Sequence, residues 1–253
     1  MHKLKVIQVN IYKGKYLDAL IEFLKKEDAD FVTMQEVTAG AMGNHQDKKA
    51  VLFEIIRDSL GMHGVFHNDV RLASDLESLH GNAVLSKYPI VESDQIILKE
   101  FRPFTDKEFN NPEFFPDFPR SIVDASVDFN GKLLHVLSVH GAWTAPPTDT
   151  PDALRQAELI AKHLKSLKSP FLLGGDMNTT SDMQVIKIIE TAAVNLLQGS
   201  GITYTTHPTM HKIAPRKLAV DYIFASKEFK KISIEAPEVL VSDHLPVVAE
   251  LEM

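Results

Sequence analysis

Three polar residues, Ser242, Asp243 and His244, stand together directly before the last apolar segment of the chain. From Val247 onward that segment alternates apolar and polar side chains, which predicts a strand with one buried face. One interpretation of the three residues is a simple turn, because Ser and Asp favour turns and Pro246 favours an extended residue before it. The other is a functional pair, since a carboxylate beside an imidazole suits proton transfer at neutral pH. Partners elsewhere in the sequence must decide between the two.

Polar side chains also lie at the ends of the other predicted strands. Carboxylate and amide oxygens without thiolates suit a hard cation such as Mg²⁺ or Mn²⁺. Such a cation with histidines and a water suits attack on a phosphorus centre. In a layered α/β domain, polar groups at strand ends form the usual cleft for ligands and catalysis. The residues in question are Asn10, Glu36, His140, Asp176, Asn178, Asp221, Asp243 and His244.

Strand-like and helix-like segments interleave along the chain, which predicts an α/β fold with mixed sheets. The pattern predicts strands at 5–12, 30–37, 82–90, 121–129, 132–140, 170–178, 219–226 and the C-terminus. It predicts helices at 16–26, about 49–60 and 150–167. Thr150 and Pro151 form a well-signalled helix start, and Ser181 with Gln184 resembles a capping box for a further helix.

Composition limits the possible functions. The 253 residues are 44% hydrophobic, enough for a large core, and contain no cysteine, which excludes disulfides and thiolate sites. No apolar run approaches the roughly 18 residues of a membrane span, and no signal peptide is evident, so we expect a cytoplasmic protein. The net charge of −7 gives no global field for nonspecific nucleic-acid binding. A local basic groove, or carboxylates gathered around a cation, both fit that charge.

Two long segments match neither a helix nor a strand, and runs of this length inside a compact domain are usually functional loops. Residues 207–217 are basic and contain proline. Residues 98–120, the Phe-rich segment, hold six Phe and four Pro. Its rings could stack on nucleic-acid bases, cover a lipid tail, or pack down as a lid with a small core of its own.

Seven motifs occur in a familiar order: "QVNI", "MQEV", "GNAVLSKYPI", "SVHGAW", "GGDMN", "AVDYIFAS" and "SDHLPV". Together they resemble the signature of the endonuclease/exonuclease/phosphatase superfamily, whose relatives include DNases, deadenylases, 5-phosphatases and sphingomyelinases. The resemblance implies one domain over residues 1–253, a four-layer α/β sandwich with two mixed β-sheets packed face to face and helices outside. It also implies metal-dependent phosphoester hydrolysis with Mg²⁺ (or Mn²⁺).

The resemblance assigns the metal site and the attacking water. Glu36 resembles the principal metal-binding glutamate, Asn10 the residue that orients it or a metal-bound water, and Asp243 the C-terminal metal-associated aspartate. Asp176 would position or deprotonate the attacking water, and Asn178 would donate to the phosphate. Taken alone, the Asp–Met–Asn sequence could equally form an Asx turn.

The remaining roles concern histidines and substrate. His140 would donate to a non-bridging oxygen or the leaving group, and His244 resembles the catalytic histidine, held in its tautomer by Asp221. Arg120 and Asn82 are predicted substrate-binding residues. Arg120 could clamp a phosphate bidentately, or it could be an ordinary solvated charge in a loop.

The substrate is open at this point. We predict hydrolysis of a nucleic-acid phosphodiester by in-line attack of an activated water, in a monomer with no membrane span. A small-molecule or lipid-headgroup phosphoester is the alternative, and a catalytically silent binding module on the same scaffold is a remote one.

Overall fold

Strands and helices follow each other along the chain, of which a computed structural model describes residues 2–212 and 217–253. The strands are β1 (Lys3–Asn10), β2 (Phe31–Ala39), β3 (His63–Arg71), β4 (Leu79–Ser86), β5 (Ile90–Lys99), β6 (Arg120–Phe129), β7 (Lys132–His140), β8 (Phe171–Asp176), β9 (Val194–Asn195), β10 (Asp221–Ala225), β11 (Lys230–Glu235) and β12 (Val247–Glu252). The helices are α1 (Leu17–Glu27), α2 (Leu52–Leu60), α3 (Asp106–Phe109), α4 (Pro151–Ser166) and α5 (Gln184–Glu190).

The strands form two six-stranded sheets, with orders β11-β12-β1-β2-β4-β3 and β5-β6-β7-β8-β10-β9. Each is mixed, because β1–β2 and β7–β8 are parallel pairs among antiparallel neighbours. Apolar residues of both sheets share one buried cluster, in which Val6 and Phe31 of the first sheet lie with Ile122 and Val136 of the second. The predicted α/β sandwich with face-to-face mixed sheets is confirmed.

Helices cover the outer faces of the sandwich. Helix α1 buries Leu17, Leu20 and Leu24, one face at helical spacing, against the first sheet. Helix α4 packs Ala157 and Ile160 onto the second sheet. Within the described residues, no helix has the length and apolar character that crossing a membrane requires.

The two predicted helix starts have different outcomes. Thr150 caps α4 as expected, since its Oγ1 accepts a hydrogen bond from the Ala153 backbone N–H at 3.2 Å. The predicted capping box of Ser181 and Gln184 is wrong, because α5 begins at Gln184 itself. The Asp149 carboxylate accepts from the backbone N–H groups of Gln184 (2.9 Å) and Val185 (3.2 Å) instead. The cap therefore comes from the loop before α4 and ties the two helices together.

Strand prediction is incomplete at the sheet margins. The single strand expected at 82–90 is wrong, because β4 ends at Ser86 and β5 begins at Ile90. Strands β3, β5 and β11, which the pattern did not predict, each form an edge of a sheet. Edge strands are commonly polar and often lack a fully buried face, which weakens their hydrophobic pattern.

A layer of polar side chains crosses the apolar core between the sheets. Gln8 and Gln35 exchange side-chain amide hydrogen bonds, and Thr33 Oγ1 donates to Gln8 Oε1 at 2.7 Å. Gln35 Nε2 then donates to Ser138 Oγ of the second sheet at 3.0 Å. Gly174 leaves room for this layer, since a Cβ there would lie 2.0 Å from Thr33 Oγ1. We call Gln8, Thr33, Gln35 and Ser138 the inter-sheet polar layer.

Candidate active site

The predicted site residues converge at one end of the sandwich. His140, Asp176 and Asp221 lie directly opposite one another on the neighbouring strands β7, β8 and β10. Asn10 ends β1 of the other sheet, and the loop before β12 presents His244. A cleft of about 260 Å³ lies over these strand ends. The strand register thus places groups from both sheets around one opening.

Asp176 occupies the centre of this cluster. Its Oδ2 accepts a hydrogen bond from Asn10 Nδ2 at 3.1 Å and lies 3.5 Å from His140 Nε2 and 3.7 Å from His244 Nε2. Its Oδ1 accepts from the backbone N–H of Asn178 at 2.9 Å. One carboxylate therefore contacts an amide, two imidazoles and a turn. The Asx turn considered from the sequence is present, and it coexists with a place in the cleft.

Burial separates the protonation behaviour of these groups. It raises the pKa of Asp176 to about 6, although the nearby His244 charge acts in the opposite direction. Burial, with the Arg120 charge, holds the pKa of His140 well below its ordinary value. Burial would also lower the pKa of His244, but the carboxylates of Asp221 and Asp176 raise it well above the ordinary value. At neutral pH the cleft therefore combines a neutral imidazole with a cationic one.

Asp221 lies behind His244 and does not line the cleft. It is fully buried and accepts hydrogen bonds from His244 Nδ1 at 2.8 Å and Thr205 Oγ1 at 2.7 Å. Gln8 of the inter-sheet polar layer approaches its second oxygen at 3.4 Å. These contacts fix the carboxylate, and the carboxylate fixes the ring, so that Nε2 of His244 faces Asp176.

Glu36 sits at an irregularity in its strand. The pairing of β2 with β4 shifts register between Met34 and Val37, and Glu36 adopts a left-handed φ of 55°. Such a bulge redirects a side chain, and strain of this kind is concentrated at functional sites. Its Oε2 is buried and has no hydrogen-bond partner among the described residues. A buried acceptor of this kind needs a ligand that the protein itself does not supply.

Tyr12 lines the cleft together with Glu36 and Asp243. Burial raises the pKa of the Tyr12 hydroxyl, and the carboxylates of Asp243 and Glu36 raise it further. Its backbone N–H donates to Asn10 Oδ1 at 3.0 Å, which leaves Asn10 Nδ2 for Asp176. Burial alone would raise the pKa of Asp243, but the His211 ring and the His244 charge hold it below its ordinary value.

The two predicted substrate-binding residues lie in different environments. Arg120 begins β6 and is only 3% exposed, so the alternative of a solvated loop charge is wrong. It lines the cleft. Asn82 is fully buried and donates through Nδ2 to Asp69 Oδ2 (2.8 Å) and the Ser121 carbonyl (3.2 Å). In this position Asn82 supports Asp69, and its assignment as a substrate-binding residue stays a prediction.

Several lining residues were not identified from the sequence. Lys13 follows Asn10 closely and reaches the cleft, with its ammonium 4.6 Å from the Phe109 ring centroid. His80 is buried, with its ring 6.5 Å from that of His140, and its Nδ1 has no partner within the described part of the chain. His80 does not stand at the end of a predicted strand, and Lys13, which directly follows the predicted strand 5–12, is not one of the carboxylate, amide or imidazole groups considered there. The only available signal for Lys13 was its closeness to Asn10.

The segment 207–217, predicted to be functional, reaches the cleft through His211. Its ring stands edge-on to that of His244 at 5.3 Å, and its Nδ1 lies 3.4 Å from Asp243 Oδ2. Lys212 also lines the cleft. Residues 213–216 of this segment lie outside the described residues.

The Phe-rich segment mostly packs against the domain. Phe104, Phe109 and Phe118 are buried in a separate cluster with Met42, Val70 and Leu72. This is the lid with its own core that the sequence left as one alternative. Phe115 is half-buried, lines the cleft and meets the Trp143 ring edge-on at 5.4 Å. One side of the cleft is therefore aromatic.

Residues 7–244 match the sequence profile of the Endonuclease/Exonuclease/phosphatase family. The chain belongs to this family. Members of the family are phosphoester hydrolases, and this protein is an enzyme of that class. The chain matches none of the curated proteins with which it was compared.

Solved structures share the fold of this family member. An endonuclease/exonuclease/phosphatase from Bacteroides vulgatus is 20% identical, with a TM-score of 0.76 and full coverage of both chains. A mannosyl-6-phosphatase from Bacteroides thetaiotaomicron is 15% identical, with a TM-score of 0.70 over 99% of this chain and 100% of its own. TDP2 of D. rerio, complexed with a single-strand DNA product, is 14% identical, with a TM-score of 0.71 and full coverage of both.

The cleft of this family member offers the donors that a divalent metal needs. Enzymes of the family generally depend on such a metal, and the unpartnered Oε2 of Glu36 is an oxygen donor suited to a hard cation. Asn10 and Asp243 line the same cleft. Two groups with ligand atoms within 4.8 Å of one another, His211–Asp243–His244 and Asp176–Asp221–His244, also occur in the described structure. Both contain His244, whose bond to Asp221 and raised pKa suit it better to hydrogen bonding than to metal ligation.

Proposed function

We propose that this protein is a divalent-metal-dependent phosphodiesterase that cleaves nucleic-acid phosphodiesters. The observation that carries the proposal is the pairing of the Asp176 cluster with an aromatic and cationic wall in one cleft. Phe115 and Trp143 offer faces on which a base can stack, and Lys13 and Arg120 offer positive charge to the backbone. The net charge of −7 does not oppose this, because these cations line the cleft itself.

The metal site proposed here consists of Glu36 with Asn10 and Asp243. Mg²⁺ or Mn²⁺ bound there would supply positive charge to a phosphoryl oxygen and so ease attack on phosphorus. The carboxylate and amide oxygens of these three side chains are ligands that suit either ion.

Asp176 is assigned to activate the attacking water. A pKa of about 6 leaves this carboxylate mostly ionised at neutral pH yet basic enough to accept a proton from the attacking water. Asn178, whose Nδ2 donates to the Gly141 carbonyl at 3.2 Å, would turn to donate to a phosphate oxygen. The carboxylate thus positions the water and takes its proton.

Two imidazoles are assigned to different oxygens. His140 stays neutral and can donate one N–H to a non-bridging oxygen. His244 stays cationic between Asp221 and Asp176 and would stabilise charge on the phosphorane or the leaving oxygen. Arg120 would clamp a further phosphate oxygen.

Glu36→Gln tests the metal assignment. The change keeps the shape but removes the charge that holds the cation, so Mg²⁺-dependent hydrolysis of bis-p-nitrophenyl phosphate should fall by orders of magnitude. Glu54→Gln, on the exposed face of α2, is the matched control and should hydrolyse normally. Urea unfolding of both variants should match the unmodified protein. Full activity in excess chelator would contradict the metal requirement.

A second candidate, hydrolysis of a compact phosphoester such as a sugar phosphate, is favoured by the size of the cleft. Its volume of about 260 Å³ lies below the range of about 300–1,000 Å³ typical of small-molecule sites. A panel of single-stranded DNA, RNA, sugar phosphates and inositol phosphates separates the two. We expect kcat/KM to be highest for an oligonucleotide; a preference for a sugar phosphate would reverse the assignment.

A further inference from the structure

A second pocket lies at the margin of the sandwich, between the edge strands β3 and β5, and we call it the edge pocket. Its volume is about 260 Å³, equal to that of the catalytic cleft. Arg120 lines both openings. A ligand in the edge pocket would therefore share a guanidinium with a phosphoester in the cleft.

Two arginines that line the edge pocket carry donors without hydrogen-bond partners. Arg71 Nε and Arg120 Nη1 are buried and have no hydrogen-bond partner among residues 2–212 and 217–253. Arg120 as a whole is only 3% exposed. A buried donor without a partner is unfavourable, and more so when it is charged. An anionic ligand with several acceptor oxygens would satisfy both.

The charge of the edge pocket is positive. Arg71, Lys99 and Arg120 line it, and Asp69 is the carboxylate among its lining residues. Asp69 is already hydrogen-bonded by Ser121 Oγ and Asn82 Nδ2, and burial raises its pKa to about 7. Lys99 contacts Asp152 at 3.1 Å, which reduces its share of the charge. The two arginines remain to bind an anion.

The walls of the edge pocket are held by hydrogen bonds across three strands. Gln95 Nε2 on β5 donates to the Asn68 carbonyl on β3 and to Ser121 Oγ on β6, each at 3.0 Å. Phe101 and Ile97 line the same pocket, and both are 43% exposed. The Arg71 guanidinium lies 5.5 Å from the Phe101 ring centroid. The pocket therefore offers a preformed cationic floor beside an apolar surface.

We propose that the edge pocket binds a second phosphate group of the substrate, with the adjoining sugar or base against Phe101 and Ile97. This deepens the proposed function, on which it rests, because it makes the substrate one that carries at least two phosphates. Arginine guanidinium groups suit phosphate oxygens through paired N–H donors. The volume admits a phosphate and part of its ester group but not a whole folded nucleic acid.

A pair of esters tests the edge pocket. The p-nitrophenyl ester of thymidine 5′-phosphate is compared with the same ester carrying a 3′-phosphate. We expect the added phosphate to raise kcat/KM about tenfold, the effect of one charge-assisted hydrogen bond. Arg71→Gln should reduce that ratio to about one. Arg57→Gln should keep it, and it is a close match because Arg57 also lies over a phenylalanine ring, that of Phe53 at 5.4 Å.

A binding measurement separates this proposal from the proposed function. The Nε–H signals of the arginines are followed by NMR while inorganic pyrophosphate is added to the unmodified protein. We expect the Arg71 signal to shift and that of Arg57 to stay. An unmoved Arg71 signal, or a tenfold ratio that survives Arg71→Gln, overturns the edge pocket as a phosphate site. If neither ester is hydrolysed, the proposed function fails, and a shifted Arg71 signal still supports the pocket.

Discussion

Asp221 and His244 should lose activity as a unit, because the structure gives Asp221 no route to substrate except through the imidazole. Asp221 is fully buried, and its Oδ2 lies 2.8 Å from His244 Nδ1. The perturbations are Asp221→Asn, which keeps the shape, His244→Ala, and both together. An orienting residue has nothing to orient once its target is removed.

The expected sizes follow from the contacts. Loss of the His244 donor should remove roughly 2.7–4 kcal/mol of transition-state stabilisation, or about 10²–10³ in kcat. Asp221→Asn replaces a charge-assisted hydrogen bond, worth about 1.5–3 kcal/mol, with a neutral one, worth about 0.5–1.5 kcal/mol, so the loss should be about 1–1.5 kcal/mol. In the double variant, the loss should equal that of His244→Ala alone. Independent roles would instead add to about 4–6 kcal/mol.

The assay is kcat for bis-p-nitrophenyl phosphate at saturating Mg²⁺, with urea unfolding of each variant to exclude loss of fold. Asp124→Asn is the matched control, because Asp124 holds His135 Nδ1 and His163 Nε2, each at 2.8 Å, outside the cleft. This variant should lose stability but keep its kcat. Losses for Asp221 and His244 that add in log rate would refute the proposed pair.

Three further outcomes are expected. Burial raises the pKa of Asp69 to about 7, above the value of about 3.9 in the unfolded chain, so its contribution to stability is complete below pH 4 and falls by up to about 1.4 kcal/mol per pH unit as the pH rises to 7. Asp69→Asn should lack this slope when urea unfolding is measured at pH 5 and 7, and an unchanged slope would contradict the raised pKa. Gly174→Ala places a Cβ 2.0 Å from Thr33 Oγ1 and should lower the free energy of unfolding by about 1–3 kcal/mol, which calorimetry should show as a Tm lower by roughly 2–12 °C. A Tm like that of the unmodified protein would show that the inter-sheet polar layer can rearrange to admit the methyl group. Phe115→Ala should raise KM for an oligonucleotide about 5- to 100-fold by removing a stacking face, with little change for an aliphatic phosphodiester, and equal losses for both would exclude stacking.

The central strands could be predicted from the sequence because they are buried and flanked by clear turns. Strands β1, β2, β7 and β8 all lie inside their sheets, and their apolar runs end in the polar residues that line the cleft. Strands β3, β5 and β11 escaped prediction because an edge strand faces solvent along one side and needs no regular apolar pattern.

The residues of the candidate site also differ in whether the sequence could predict them. The convergence of Asp176, His244 and Glu36 on one cleft could be predicted, because the motifs follow strands whose ends and irregularities meet in space. Arg120 could not be separated from a solvated charge, because its burial depends on a sheet edge that the sequence did not reveal. His80 could not be predicted either, because its place beside His140 follows from how the two sheets pack.

The inter-sheet polar layer has a consequence for how new substrates can be acquired. Apolar side chains alone would let two sheets slide by small amounts, but the bond between Gln35 and Ser138 specifies one alignment. Asn10, His140 and Asp176 stand on strands that this alignment fixes, whereas Phe115 and Lys212 stand on connecting segments. Mutations in those segments can therefore change the choice of substrate while the strand-borne groups keep their alignment, so the inter-sheet polar layer separates the evolution of specificity from that of the chemistry.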